Sequence, residues 1–423
     1  MVSMRALKMG LCAVLCLSAV ACGGGSGGGS GGGSGGSSGG SSSSGGSGTG
    51  GTTSNTASVI IDEGPLNQSV NTMFTSVTVC VPGSTTSCQT IDHIQVDTGS
   101  YGLRLLASVL TLPALPVETL ANGGSLAECT EFVDGFSWGP VVTADLQIAG
   151  ETANSLPVQV IGDSRFTNIP AECSSGGGTE EDTVSTFGAN GILGVGPFEL
   201  DCGDCDTVTQ GLYFACTATS CTDTTVPDNM QVPNPVTHFA ADNNGVIVVL
   251  PSVAAGGAAN VMGSLIFGID TQTDNASGTQ TVLTVDDNAQ LSIMFNSQTF
   301  ANSFIDSGSN GIYFSDSSIN LCTDPSDPTS QIVNFYCPAS TLTLPITIQG
   351  MNGIMTNNLT FNVGNAENML NNNFDAYPEL AGTLPAGNAG SFDFGLPFFF
   401  GKRVAVVVQG ATTTVGTGPY IAF

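Results

Sequence analysis

A short motif occurs twice in this chain, and the repeat constrains the fold more than any other feature of the sequence. Ile94 to Leu105 read IQVDTGSYGLRL, and Ser303 to Phe314 read SFIDSGSNGIYF. Both segments share the order apolar, Asp, Ser or Thr, Gly, Ser, any residue, Gly, apolar. Each is followed at a distance by an apolar stretch that reaches a glycine, NGILGVG from Asn190 and FDFGLPFFFG from Phe392. The repeat predicts two similar halves, each built around one Asp-containing turn.

Composition favours a mainly β chain with two lobes. A leader and a spacer leave roughly 370 residues for folding, which is more than one hydrophobic core usually holds. Hydrophobic residues make up 41% of the chain and charged residues only 9%, as in a globular protein. Val, Ile, Thr, Gly and Asn outweigh helix formers, so we expect strands and turns. Ala366 to Leu370 is one of few short helix candidates.

The charge of the chain excludes one large class of partners. Six Lys and Arg residues stand against 34 Asp and Glu residues, for a net charge of -28. Such an acidic chain repels nucleic acid, which we do not expect as a partner. Self-repulsion is smallest at low pH, where carboxylates are neutral, so tolerance of acid is expected.

The first residues have the pattern of an export signal. Arg5 and Lys8 precede an apolar run that is too short to span a bilayer, and the run ends in Ala19, Val20, Ala21 and Cys22. This ending resembles a bacterial lipoprotein cleavage box, with Cys22 as the lipidated first residue. Ordinary signal cleavage with an incidental Cys22 is the alternative.

A Gly- and Ser-rich spacer follows Cys22 and favours lipidation, since a flexible tether is useful when one end is fixed to a membrane. We therefore predict a signal peptide at 1–21 and a tether at 22–55. An N-terminal lobe follows at 56–235 and a C-terminal lobe at 236–423. The predicted location is extracytoplasmic, with the lipid anchor in a bacterial membrane, which we expect to be the outer membrane.

The cysteines point to the same compartment. Of 13 cysteines, Cys12, Cys16 and Cys22 lie in or at the end of the leader, which leaves ten, an even number. The predicted disulfides are Cys80 with Cys88, Cys322 with Cys337, two bridges among Cys202, Cys205, Cys216 and Cys221, and Cys129 with Cys173. Cys202 and Cys205 could instead hold a metal, but no His lies nearby in the sequence.

The paired Asp motifs resemble the signature of the pepsin-like aspartic peptidases. In that family each lobe supplies an Asp-Thr/Ser-Gly loop and a later apolar-apolar-Gly segment. The segment GSLIFGID and the chain end, FGKRVAVVVQG to GPYIAF, are also similar to strands of that family. The resemblance implies a bilobal, mainly β fold of two pseudo-symmetric barrels with a cleft between them. It implies a peptide or protein substrate, a monomer, and no cofactor or metal.

The resemblance also implies a site. Asp97 and Asp306 would face each other and hold a water, and each would exchange acid and base roles. The residues that would support this dyad are Thr98, Gly99, Ser100, Ser307, Gly308 and Ser309. Taken alone, each motif would be an ordinary Asp turn.

Two departures from the family pattern concern the surroundings of this site. The family's cleft is covered by a hairpin flap bearing a Tyr, and here the flap is predicted at Phe132 to Val142. Phe132 has no hydroxyl, so the role of that Tyr is lost or passes to Trp138, whose alternative is a buried aromatic. Arg104 replaces a residue that is often Trp in the family, and we expect it to point outward to an acidic surface.

Three functions are consistent with these features. The first is a membrane-anchored aspartic endopeptidase. The second is a pepsin-like protein that binds peptides or proteins without turnover, which the missing flap Tyr favours and the intact Asp loops oppose. The third is a structural surface protein whose lobes only display loops.

Overall fold

The structure is a computed structural model that describes residues 55–423 except 134, 176–177, 328–329, 357 and 385–389. The predicted signal peptide, the predicted lipidation site Cys22 and nearly all of the predicted tether lie outside the described residues. None of the described helices is long and apolar enough to cross a membrane. The boundary between lobes at 235/236 falls in a 3-10 helix, Pro235–His238, and stays a prediction.

Strands dominate the chain, as predicted. The strands of the first half are β1 (Thr56–Ile61), β2 (Met73–Cys80), β3 (Cys88–Asp97), β4 (Tyr101–Leu106), β5 (Ser125–Glu131), β6 (Gly135–Ile148), β7 (Glu151–Ile161), β8 (Thr179–Glu180), β9 (Gly191–Val195), β10 (Tyr213–Cys216) and β11 (Cys221–Asp223). Those of the second half are β12 (Gly245–Val249), β13 (Val261–Phe267), β14 (Val282–Thr284), β15 (Leu291–Phe295), β16 (Gln298–Ile305), β17 (Ile312–Tyr313), β18 (Leu342–Gln349), β19 (Leu359–Val363), β20 (Ala381–Gly382), β21 (Asp393–Phe394), β22 (Arg403–Val407) and β23 (Tyr420–Ala422).

The α-helices are short. They are α1 (Ala171–Ser174), α2 (Val184–Phe187) and α3 (Ala366–Leu370). The predicted helix at Ala366 to Leu370 is confirmed, and the Asn365 side chain accepts a hydrogen bond from the Asn368 N–H at its start.

The two halves of the chain repeat one strand arrangement. In the first half, β9 lies between β3 and β4, parallel to β3 and antiparallel to β4, and β7 is parallel to β4. In the second half, β21 lies between β16 and β17, parallel to β16 and antiparallel to β17, and β20 is parallel to β17. The sequence repeat therefore corresponds to a repeat in structure.

The strands form two sheets, and the mainly β, barrel-like prediction is confirmed. The larger described sheet has 16 strands, and a pairing of β6 with β2 closes the ring β2, β6, β7, β4, β9 and β3 into a barrel. The smaller described sheet has seven strands in the order β19, β18, β15, β16, β21, β17 and β20.

The first strand of the chain joins the two halves. β1 pairs along its whole length with β13, from Thr56 opposite Ile266 to Ile61 opposite Val261. The large sheet continues from β13 through β12, β22 and β23 to β14. One apolar cluster also extends through both halves, from Val59 and Ile94 to Ile305 and Phe392. Each Asp turn thus sits on a buried, strand-built base.

Disulfides staple the described chain as predicted. They join Cys80 to Cys88, Cys129 to Cys173, Cys202 to Cys205, Cys216 to Cys221, and Cys322 to Cys337. Cys202 and Cys205 are therefore bonded to each other rather than placed as thiolate metal ligands. Bonds of this number indicate an oxidising, extracytoplasmic compartment.

Candidate active site

The two Asp turns meet where the halves of the chain come together. The Thr98 N–H donates to Ser307 Oγ at 3.1 Å, and the Ser307 N–H donates to Thr98 Oγ1 at 3.0 Å. Ser307 Oγ in turn donates to the Val96 carbonyl at 2.9 Å. Each turn is thus held by a hydroxyl and an N–H of the opposite turn.

Within each turn, the Asp carboxylate accepts the same two hydrogen bonds. In the first turn, the Gly99 N–H donates to Asp97 Oδ1 at 2.7 Å and the Ser100 hydroxyl donates to Oδ2. Equivalent bonds in the second turn run from Gly308 N–H to Asp306 Oδ1 at 2.6 Å and from Ser309 Oγ to Oδ2 at 2.8 Å. These bonds fix the plane of each carboxyl group.

The side chains of Asp97 and Asp306 also hydrogen bond to one another. Their approach requires glycine at position 99, because a Cβ atom there would lie 2.7 Å from Asp306 Cγ. Both carboxyl groups are 0% exposed. Two neighbouring carboxyl groups that are both buried favour a state with one proton between them, because two adjacent negative charges would repel each other strongly where solvent cannot screen them.

Burial raises the pKa of both carboxyl groups. Burial raises the pKa of Asp97, although hydrogen bonds from Asp306, Ser100 and Gly99 and the charge of Arg104 act against this. Burial and then the negative charge of Asp97 raise the pKa of Asp306 well above its ordinary range. Both carboxyl groups therefore favour the neutral form more than an exposed Asp does.

Two further side chains tie the halves together beside these turns, and sequence reasoning missed both. Gln95 Nε2 donates to the Gly308 carbonyl at 2.9 Å. Asn71 donates to the carbonyls of Asn310 and Tyr377 at 2.8 and 2.9 Å, and it accepts the Tyr377 N–H at 2.6 Å. Gln95 lies in the first repeated segment but outside the shared pattern, and Asn71 lies outside both segments, so only the three-dimensional arrangement reveals their roles.

The predicted flap region is a hairpin, but it is part of a larger sheet. β5 and β6 pair antiparallel, with Glu131 opposite Phe136 next to the turn. β10 pairs with β5, and β11 pairs with β10, so the hairpin has two extra strands at its edge. A disulfide from Cys129 to Cys173 attaches α1 to β5.

Phe132 and Trp138 lie in the interior of this region. Phe132 is 6% exposed and packs edge-on against Phe187. Trp138 is 2% exposed, packs edge-on against Phe214, and donates its indole N–H to the Phe166 carbonyl at 2.7 Å. The indole donor is therefore already used by the protein in this structure.

The prediction that Arg104 points outward is wrong. Its side chain is 1% exposed and lies between two carboxylates, Glu128 on β5 and Asp201, with Asp201 Oδ2 at 2.9 Å. The guanidinium also donates to Thr130 Oγ1 at 2.8 Å and to the Tyr101 carbonyl. The sequence pattern failed because β4 is buried on both faces, so alternation gives no outward side.

Arg104, Glu128 and Asp201 form a buried charged cluster, the Arg104 cluster, which connects β5 of the hairpin to β4. Burial acts to lower the pKa of Arg104, but the charges of Glu128 and Asp201 outweigh it and raise the pKa. Burial and the charge of Glu128 raise the pKa of Asp201 well above its ordinary range. Tyr213 on β10 donates its hydroxyl to Asp201 Oδ1 at 2.7 Å, which extends the cluster to the added strands.

A third buried carboxyl group lies next to the two turns, and the sequence analysis overlooked it. Asp393 is the first residue of β21 and is 0% exposed. Asp393 lies in the otherwise apolar stretch FDFGLPFFFG. The equivalent position in the first half is Ile192. The only sign of this buried acid in the sequence is its place between two Phe residues, Phe392 and Phe394.

The described residues contain no group of three or more His, Cys, Asp or Glu side chains arranged to hold a metal ion. The site is instead an acid pair with hydroxyl and backbone donors. Such a pair can accept a proton from one reactant and donate a proton to another.

Comparison with known proteins places the chain in a family. A family described as "Protein of unknown function (DUF3443)" matches residues 51–423. The chain belongs to this DUF3443 family. No curated protein matches the sequence of this family member.

A solved structure resembles this DUF3443 protein in outline. It is the crystal structure of an aspartic proteinase from Irpex lacteus, which is 16% identical, with 86% of this chain and 99% of that chain covered and a TM-score of 0.47. In the DUF3443 chain itself, the repeated strand arrangement and the two joined Asp turns form a bilobal, mainly β fold.

Proposed function

We propose that this protein is an aspartic-type endopeptidase that hydrolyses peptide bonds with a water held between Asp97 and Asp306. One observation carries the proposal: the two carboxyl groups hydrogen bond to one another, and each also accepts bonds from a Gly N–H and a Ser hydroxyl of its own turn. Close carboxyl groups that divide one proton are familiar from the aspartic-protease dyad, which serves here as an analogy.

The proposed chemistry needs only the two carboxyl groups. The ionised group takes a proton from the water as the water attacks the peptide carbonyl carbon, and the protonated group donates to the carbonyl oxygen. As the C–N bond then breaks, one carboxyl group protonates the leaving nitrogen and the other takes a hydroxyl proton from the intermediate while its C=O bond re-forms, so the pair again holds one proton. Gly308, Ser309, Gly99 and Ser100 keep the carboxyl planes fixed through these steps.

Access to the pair requires movement of the segments that cover it. Both carboxyl groups are 0% exposed, so we propose that an extended chain binds after the region around the β5–β6 hairpin moves outward. The buried Arg104 cluster and the Cys129–Cys173 bond restrain that hairpin. Slow opening is therefore expected to limit turnover.

The proposed setting is the outside of a bacterial membrane. The five described disulfides support an oxidising compartment. We propose that Cys22 carries the lipid and that the Gly- and Ser-rich spacer lets a monomeric domain reach protein substrates nearby.

The test is cleavage of a denatured protein mixture from pH 3 to 7 by the wild-type protein and by the Asp97→Asn variant. Asp287→Asn, at an exposed turn, serves as the matched control. The proposal predicts cleavage by the wild type and the control, and a loss of at least about 1000-fold in Asp97→Asn. Equal and negligible cleavage by all three would refute the enzyme proposal.

A second candidate function is a peptide- or protein-binding surface protein without turnover. The interior positions of Phe132 and Trp138 favour it, because neither offers a donor toward a bound peptide in this structure. This candidate predicts that wild type and Asp97→Asn capture the same peptides from a random library and release them uncleaved.

A further inference from the structure

The side chain of Asp393 is completely buried, yet no hydrogen-bond donor of the described residues is directed at it. Among the described residues, neither of its carboxyl oxygens has a hydrogen-bond partner, and the side chain is 0% exposed. The nearby Ser309 hydroxyl is close enough to influence the pKa of Asp393, but it is aligned on Asp306 Oδ2 at 2.8 Å. An ionised carboxylate in such a place would be far more costly than a neutral acid.

The strand register fixes Asp393 beside the acid pair. Asp393 pairs with Phe304 of β16, and Phe304 precedes Asp306 by two residues. On its other side Asp393 pairs with Tyr313 of β17, which follows Asn310 by three residues. The ionisable groups that act on it are Asp97 and Asp306, while the Tyr313 hydroxyl is directed at Asn310. Arg104, the buried cation of the first half, acts on Asp97.

The first turn has no counterpart to this third acid. Ile192 of β9 stands at the equivalent strand position, directly before the Leu-Gly pair as Asp393 stands before Phe-Gly. The turns therefore have equal hydrogen bonds but unequal surroundings. The Ser309 hydroxyl lies beside both acids, so it is the group through which Asp393 can affect the hydrogen bonding of Asp306.

We propose that Asp393 is a protonated positioning residue, which donates its O–H to Ser309 Oγ and so directs the Ser309 hydroxyl hydrogen onto Asp306. This role rests on the proposed hydrolysis at the Asp97–Asp306 pair. A neutral Asp393 that donates to Ser309 leaves the Ser309 hydrogen directed at Asp306 Oδ2, along the bond of 2.8 Å. The three carboxyl groups thus hold two protons in the working state, one on Asp393 and one divided by the pair.

The proton count follows from the same surroundings. Burial raises the pKa of Asp393 well above its ordinary range, and the negative charge of Asp97 adds to that rise. As pH rises through this pKa, Asp393 becomes an acceptor and competes with Asp306 for the Ser309 hydrogen. Loss of positioning then contributes to the decline of activity on the alkaline side, beside loss of the divided proton.

Infrared spectroscopy tests the proton without any need for catalysis. Spectra of the wild type and Asp393→Asn are compared at pH 7 in light and heavy water in the carboxylic-acid C=O region, because a protonated carboxyl group absorbs there and shifts on deuteration, whereas a carboxylate does not absorb there. Asp145→Asn is the control, since this buried carboxylate already accepts N–H groups from Gly83 and Ser155 at 2.7 Å. The proposal predicts that Asp393→Asn removes one buried acid band and that Asp145→Asn removes none. Identical spectra for wild type and Asp393→Asn would overturn it.

Kinetics separates positioning from mere packing. Asn at 393 keeps an N–H donor toward Ser309 and does not titrate, whereas Val has similar size and no donor. We expect kcat within about threefold of wild type in Asp393→Asn, with the alkaline limb moved to higher pH, and a kcat about tenfold lower in Asp393→Val with KM unchanged. An unchanged limb together with equal kcat in both variants contradicts the role. If the wild type cleaves nothing, the proposed function fails and the infrared comparison still decides the state of Asp393.

Discussion

At the residue scale, the central feature is the exchange of hydrogen bonds between two turns that lie far apart in sequence. Thr98 and Ser307 each accept an N–H from the other turn. Their hydroxyl groups are buried, so each lost bond would leave an N–H without water to replace the partner. The geometry of the acid pair depends on these short polar side chains as much as on the acids.

Thr98→Val tests that dependence. Val has the shape of Thr but cannot accept the Ser307 N–H, so the free energy of unfolding should fall by about 1–3 kcal/mol. Cleavage should fall as well, because the two carboxyl groups lose their fixed spacing. Urea denaturation and the cleavage assay measure the two effects.

Thr90→Val is the control for this change. Its hydroxyl forms an exposed cross-strand bond with Thr78 at 2.8 Å, and exposed bonds of this kind contribute little. Equal losses of stability in Thr90→Val and Thr98→Val would show that the hydrogen bonds between the two Asp turns have no special role in stability.

At the scale of elements, the hairpin β5–β6 is restrained more firmly than a free flap. Arg104 on β4 bonds to Glu128 and Thr130 on β5, and Asp201 and Tyr213 extend the cluster to β10. A single cation between two buried carboxylates holds three strands in place. Removing it leaves buried negative charge without compensation.

Arg104→Met should therefore lower the free energy of unfolding by about 3–5 kcal/mol. Arg165→Met is the matched control, because Arg165 pairs with Asp163 at the surface and that pair is worth about 0–1 kcal/mol. Adding Glu128→Gln to Arg104→Met should restore part of the loss, as it removes one of the stranded charges. Similar small losses in both single Arg variants, measured by denaturant unfolding, would contradict a structural role for the cluster.

The sequence predicts the repeated Asp turns and the disulfides of this molecule well, and its isolated buried charges poorly. Asp97, Asp306 and their Gly and Ser neighbours occur in two copies, so their pattern stands out from ordinary turns. The mainly β fold and the disulfide pairs are also confirmed. Arg104 and Asp393 occur once, and their partners come from strands that are distant in sequence. A buried charge gives no local signal that it is buried, because that depends on which strands cover it.

At the scale of the whole molecule, the balance of buried acids sets the dependence of stability on pH. Burial raises the pKa of Asp97, Asp201, Asp306 and Asp393. The folded chain keeps protons that the unfolded chain has lost above about pH 4, so these groups stabilise the fold in acid and destabilise it as pH rises. The net charge of -28 adds repulsion in the same direction.

The melting temperature should accordingly be highest near pH 4–5 and fall toward pH 8. Below this range Asp270 acts with the opposite sign, because hydrogen bonds from Ser277 and Thr414 outweigh burial and lower its pKa to about 2. Its stabilising contribution is complete above the unfolded pKa and is lost as pH falls through about 2. Calorimetric scans from pH 2 to 8 measure both limbs.

Salt separates the two causes of the alkaline decline. Surface repulsion is screened in about 1 M salt, whereas the buried acids are not. A decline that persists in salt and becomes shallower in Asp393→Asn is expected. A melting temperature that rises steadily from pH 4 to 8 would contradict the assignment of these buried carboxyl groups.

The measurement that tests the acid pair most directly is the calorimetric binding of a statine-containing peptide at pH 5. The statine hydroxyl has the position of an attacking water, so it needs one ionised and one protonated carboxyl group within reach of the same oxygen. We predict binding by the wild-type protein and by Asp287→Asn, with affinity reduced at least about 100-fold in both Asp97→Asn and Asp306→Asn. No binding by the wild type, or equal binding by all four proteins, would contradict the claim that these two carboxyl groups act as one site.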